Sequence, residues 1–201
     1  MTQKQWIGYS KPLIFLLLCL PTVWLVLSAY QQNLGADPAK KLVDETGLWA
    51  LRILLLSLAM TPFRYWTGSG VWLHYRRMLG LFAFYYVVLH LLSYTFLLFG
   101  ANWSYLQQEL TKRPYIIVGF SAFLLLIPLA LTSTKNWQRR LGQRWRKLHQ
   151  LVYLIALLAM LHVIWLKKLG VWAVWPYALC LFILLAERIR QYQLKQQNSF
   201  K

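Results

Sequence analysis

Two histidines sit where an ionisable side chain is expensive. His90 lies in the run Val87-Val88-Leu89-His90-Leu91-Leu92, and His162 in Leu158-Ala159-Met160-Leu161-His162-Val163. A titratable residue inside a membrane-length apolar run is costly enough to mark function by default. One use is hydrogen bonding between helices, worth only about 1 kcal/mol in a membrane. The other is axial ligation of haem iron, for which neutral imidazole is a standard ligand. Two histidines on two helices at compatible depth are what an iron held inside a helix bundle requires, and His90 and His162 are read as that pair.

A second level is marked by His149 and Arg77, each 13 residues before one of those histidines. Thirteen residues of α-helix rise about 20 Å, which stacks two levels within a hydrocarbon core of ~30 Å and its interface. Thirteen steps of about 100° also leave the two positions roughly 140° apart around an ideal helix. Arginine stays protonated and is a poor iron ligand, so the pair Arg77 and His149 suits a quinone or flavin input site, or a second haem. His149 is equally readable as an interfacial histidine among Arg146, Lys147 and Tyr153. His74, between Leu73 and Tyr75 in a polar loop, reads as solvated. Tyr86, Ser93 and Tyr94 fall one helical turn from His90, on a face where aromatic rings could pack a porphyrin. Arg52 offers a propionate partner or, more simply, a snorkelling cation.

The elements that must position these residues are membrane helices. Of 201 residues, 59% are hydrophobic and 13% charged, against roughly 25% charged in soluble domains. Six spans fit the apolar runs: residues 13–30, 48–63, 78–99, 115–131, 148–166 and 171–186. The second is the weakest of the six, being short and carrying Arg52 in its first turns. The expected fold is an all-α polytopic bundle forming one domain over residues 1–201, with a retained first span and no internal repeat. Orientation follows from basic residues. Fifteen of the 22 lysines and arginines fall on the side holding both chain ends, the second loop and the six-cation loop Lys135–Lys147. That side is cytoplasmic. Lys40, Lys41, Arg52, Lys112, Arg113, Lys167 and Lys168 face outward.

The same topology accounts for most of the net charge of +17, which anionic lipid then meets, so no nucleic-acid partner is expected. Cys19 and Cys180 lie in apolar runs without a spacing partner, which suggests neither a disulfide framework nor a thiolate metal site. No Gly-rich dinucleotide or phosphate loop occurs, so electrons must come from another protein or a membrane quinone. A transporter or a cofactor-free scaffold subunit would be the alternatives. Transporters commonly carry matched repeats with broken spans, and a scaffold would have no use for buried histidines.

Beyond single residues, a series of short segments carries a likeness. They are Leu34-Gly35-Ala36-Asp37-Pro38, Thr61-Pro62, Arg76-Arg77-Met78-Leu79-Gly80-Leu81, Leu89-His90-Leu91-Leu92-Ser93-Tyr94, Arg113-Pro114-Tyr115 and Leu131-Thr132-Ser133-Thr134. Leu141-Gly142-Gln143-Arg144-Trp145-Arg146-Lys147-Leu148-His149 follows, running into Val152-Tyr153-Leu154. In order and spacing they resemble the MsrQ (formerly YedZ) family, haem-binding membrane subunits of bacterial methionine sulfoxide reductase systems within the ferric-reductase-like transmembrane group. The resemblance implies haem b and flavin mononucleotide (FMN) as cofactors and an inner-membrane location. It implies electrons taken from the quinone pool or a cytosolic flavin reductase. They would pass to a periplasmic molybdopterin subunit (MsrP) that repairs oxidised methionines, leaving this chain as the redox subunit, not the catalytic one. His90, His149 and His162 match the family's haem-related histidines. Arg77 stands where two-haem relatives place an inner histidine.

Overall fold

A computed structural model describes residues 3–166 and 171–199; Lys167 and Lys168, assigned above to the outer side, lie outside the described residues. Among these the chain is helical throughout: α1 (Gln3–Tyr30), α2 (Pro38–Thr67), α3 (Leu73–Leu92), α4 (Trp103–Lys112), α5 (Pro114–Leu131), α6 (Lys135–Leu141), α7 (Gln143–His149), α8 (Leu151–Leu166) and α9 (Trp175–Ser199). Local chemistry sets the ends. Asp37 accepts from the Lys40 N–H at 3.0 Å and Pro38 fills the first position of α2, an N-cap followed by the one residue that lacks a donor to satisfy. Gly68 ends the same helix in the left-handed region at φ 67°, the usual glycine stop. Asn102 caps α4 and Thr134 caps α6 in the same manner.

Among the described residues, five helices are long and apolar enough to cross a membrane: residues 5–30, 38–67, 70–98, 114–131 and 143–166. The sixth expected span falls on α9, whose apolar stretch meets Glu187, Arg188 and Arg190 about halfway along. The second span differs most from expectation. It is not the weakest element: α2 runs 30 residues straight through Pro62 and is the centre of the bundle, with 67% of its most apolar window buried against 17% in each of the other four. A helix that faces protein does not need the uniform apolarity that a lipid-facing one does, so hydropathy undervalued it.

The principal packing pairs are α2 with α3 and α5 with α8, with α9 against α2 and α1 at the margin. No repeat is apparent in the sequence, yet these two hairpins share a register offset by 72 residues. Ala50, Leu54, Ser57 and Thr61 are buried on α2, and so are Ala122, Leu126, Leu129 and Ser133 along and just beyond α5. Ala83 on α3 and Ile155 on α8 correspond likewise. Identities at that offset are scattered, among them Gly47 with Gly119 and His90 with His162, which hides the repeat from direct inspection.

Candidate functional site

The matched hairpins bring their histidines together. His90 near the end of α3 and His162 near the end of α8 have ring centres 6.3 Å apart, with planes at 79°. Each ring is held by its Nδ1 atom. His90 Nδ1 lies 2.9 Å from the Val43 carbonyl of α2, and His162 Nδ1 lies 2.7 Å from the Tyr115 carbonyl of α5. A carbonyl only accepts, so Nδ1 carries the proton on both rings and Nε2 carries the free lone pair. A metal-binding imidazole usually donates its other ring N–H to a carbonyl or carboxylate in this way, which fixes the tautomer and the ring's orientation. Both hydrogen bonds span 47 residues of sequence, another expression of the common register. Three residues after His90 the helix widens into π-helical turns over Ser93–Leu98, a feature frequent at functional sites.

The spacing fits a shared metal. A first-row metal bonds imidazole nitrogen at about 2.0 Å and that nitrogen lies ~1.1 Å from its ring centre, so rings on opposite sides of one ion stand about 6.2 Å apart. The 79° between planes is a rotation that two rings can take about a common axis. Among the described residues, no three His, Cys, Asp or Glu side chains converge. Two imidazoles are too few for a bare structural or catalytic zinc, but paired neutral imidazoles are a donor set that suits haem iron.

Several other sequence candidates are placed elsewhere. Tyr86 shares a face with His90 by spacing, but it is completely buried against α1, donating to the Leu18 carbonyl at 2.8 Å and accepting from Thr22 at 3.0 Å. It anchors α1 and is turned away from the histidines. Tyr94 packs on Phe99 with ring centres 4.9 Å apart. Arg52 donates from Nε to the Tyr177 hydroxyl at 3.0 Å and lies 4.8 Å over the Trp49 ring, which joins α2 to α9. His74 is exposed, with its Nδ1 3.3 Å from the Val71 carbonyl. Cys19 and Cys180 are free.

At the other end of the helices His149 ends α7, and a turn at Gln150 separates it from α8. That break removes it from the regular helix on which the 140° offset was reckoned. Its ring stacks on Trp145 at 4.0 Å, and Nε2 donates to Thr132 Oγ1 at 3.2 Å. Thr132 passes its own proton to the Pro128 carbonyl at 2.6 Å, and Trp145 Nε1 donates to the Thr132 carbonyl at 2.8 Å. Arg77 is exposed. Its neighbour Arg76 is the cation whose charge acts on His149 and also on Arg188 of α9. Arg188 sits 5.5 Å over the Tyr153 ring, with Nε and Nη2 buried and lacking a hydrogen-bond partner. Arg76 and Arg188 were missed in the sequence; Arg76 could have been found only by rotating the assignment one residue about its helix.

Residues 46–160 match the family described as ferric reductase like transmembrane component. The chain is 49% identical to the "Protein-methionine-sulfoxide reductase heme-binding subunit MsrQ" of Xanthomonas axonopodis pv. citri (strain 306), over 83% of this chain and 76% of that protein. It is 44% identical to the protein of the same name from Polaromonas naphthalenivorans (strain CJ2), over 98% of this chain and 92% of that one. The chain therefore belongs to the ferric-reductase-like transmembrane family, among its MsrQ members.

Proposed function

We propose that this chain is the haem b-holding electron-transfer subunit of a bacterial methionine sulfoxide reductase system, carried in the inner membrane. The observation that carries the reading is the His90–His162 pair, with ring centres 6.3 Å apart and each Nδ1 committed to a backbone carbonyl. The names of its relatives support both the haem and the system. Haem held there supplies reversible one-electron exchange. The residues of the chain do the rest. The Val43 and Tyr115 carbonyls keep both imidazoles neutral at Nε2 and fix the direction of the lone pairs. Helices α2, α3, α5 and α8 keep water away, which favours a stable axial pair.

In this reading α9 is the sixth span and both chain ends are cytoplasmic, supported by the distribution of basic residues. His90 and His162 then lie toward the periplasm, where a molybdopterin-containing partner (MsrP) carries out the sulfoxide chemistry and this chain remains the redox subunit. The cytoplasmic end is the input side. His149 with Arg76 and Arg188, and Arg77 at the surface, suit an anionic or phosphate-bearing donor. FMN bound here and fed by a flavin reductase meets that description, and a quinol is the other donor, its oxygens accepting hydrogen bonds from the guanidinium groups.

The test is an absorption spectrum of full-length protein purified in detergent, parent against His90→Ala and His162→Ala. The parent should show a reducible Soret band, and each variant should insert normally yet lose most of its haem. Normal haem content in either variant removes that histidine from the ligand pair.

A further inference from the structure

The two histidine rings lie directly on the backbones of the neighbouring helices, and in each case a glycine makes this possible. A Cβ built on Gly47 of α2 would stand 2.9 Å from His90 Nδ1 and 3.0 Å from its Cε1. On Gly119 of α5 it would stand 2.7 Å from His162 Nδ1, 2.9 Å from Cε1 and 3.0 Å from Cγ. Real Cβ atoms essentially never approach another atom closer than 3.0 Å, so alanine at either place must push the ring away. Gly80 of α3 is different, since its Cβ would meet only Ser57 Oγ at 3.8 Å, an ordinary contact.

Each glycine also stands one helical turn after the carbonyl that holds the ring: Val43 precedes Gly47, and Tyr115 precedes Gly119. The glycine-to-histidine interval is 43 residues in both hairpins. A glycine inside a helix is unfavourable relative to alanine, and both of these stand inside a regular apolar helix, past its first turn, where packing must decide the residue. Glycine is the residue that permits a close approach to backbone. The same three-part device, a carbonyl, a glycine one turn on and a histidine from the partner helix, therefore occurs twice.

We propose that Gly47 and Gly119 are matched positioning residues for the metal-binding imidazoles. Their missing side chains let each ring lie against the neighbouring helix, so that the Val43 and Tyr115 carbonyls take the Nδ1 protons and leave both Nε2 lone pairs for a shared ion. This rests on the reading of His90 and His162 as axial ligands, but assigns the aim of those ligands to residues on α2 and α5. A ring pushed off the neighbouring helix has its bond to the carbonyl stretched and bent and its line to the shared ion turned aside. The loss is of geometry, with the ligand itself still present.

The experiment uses the full chain in detergent: parent, Gly47→Ala, Gly119→Ala and Gly80→Ala. Haem per polypeptide, the ferric spin state by electron paramagnetic resonance and the midpoint potential are recorded on monodisperse protein. Gly47→Ala and Gly119→Ala should each lower the six-coordinate low-spin signal at least about tenfold, through haem loss or conversion to a high-spin, one-ligand form. Gly80→Ala should match the parent. Should Gly47→Ala fail to fold, Gly47→Ala/His90→Ala must fold as well as His90→Ala alone, because the clash is with the ring. A double variant as defective as Gly47→Ala would place the glycine in helix packing and overturn the proposal. Parent-like spin state and potential in both alanine variants would overturn it too, while leaving the ligand reading intact. A parent with no haem, or with haem indifferent to both histidines, overturns the ligand reading and this proposal with it.

Discussion

Replacing Tyr86 by phenylalanine separates two roles for the residue four before His90. By helical spacing its ring would pack a cofactor; in the structure its hydroxyl is spent on α1, donating to the Leu18 carbonyl at 2.8 Å and accepting from Thr22 at 3.0 Å. Tyr86→Phe deletes both bonds and leaves the ring volume unchanged. Side-chain hydrogen bonds between membrane helices average about 0.6 kcal/mol in double-mutant cycles. The Leu18 carbonyl keeps its own helix bond, and Thr22 can turn back to a carbonyl of its own helix. The expected loss is therefore about 1 kcal/mol, near the simple sum of the two. For a chain of this size that corresponds to a fall in Tm of about 2–4 °C. The assay is thermal unfolding of detergent-purified protein followed by monodispersity, with the Soret band recorded on the same samples. The spectrum and haem content should not move. A shifted Soret band or lost haem with an unchanged Tm would show that the tyrosine faces the histidine pair, contradicting the packing described.

Other outcomes test orientation and the input side. A cysteine introduced by Gln138→Cys on α6 should resist a membrane-impermeant thiol reagent in intact spheroplasts, because its loop holds six cations; ready labelling would invert the topology. With His149 retained, Arg76→Leu should slow reduction of the bound haem by a quinol or reduced flavin at least about tenfold, equivalent to 1.4 kcal/mol in the barrier, while haem content stays constant. Arg77→Leu, at an exposed site, should slow it less; equal rates for parent and both variants would leave these arginines as topology determinants alone.

The histidine pair was legible because an ionisable residue within an apolar run is conspicuous, and because depth along a helix follows from counting. Direction around the helix was less secure. Tyr86 lies within one turn of His90, yet α3 packs against α1, α2 and α5, and spacing does not say which neighbour a side chain meets. Arg76 and Arg77 differ by about 100° of rotation, and counting along the sequence singles out Arg77 while the structure leaves it exposed and sets Arg76 toward His149. The centrality of α2 was hidden for a different reason. Its polar beginning, including Thr46, which is buried and bonded to the Leu42 carbonyl at 2.6 Å, lowers its hydropathy while faithfully describing a helix surrounded by protein. The carbonyls of Val43 and Tyr115 have no sequence signature at all, since any residue presents one. Gly47 and Gly119 did leave a trace, as interior glycines at one fixed interval from each histidine.

The matched hairpins make this chain resemble a dimer written as one polypeptide. Two copies of a half-length ancestor meeting across a two-fold axis would make an isologous contact, and a single histidine per copy would then suffice to place a ligand on each side of the axis. In such a dimer any mutation would appear twice, whereas in one chain each half can change alone, and 13 residues before the histidines one half carries Arg77 and the other His149. At the symmetric level two equal imidazoles stand 6.3 Å apart, each held by the same kind of carbonyl bond. The asymmetric level gives the bundle two distinguishable sides, and with them a direction.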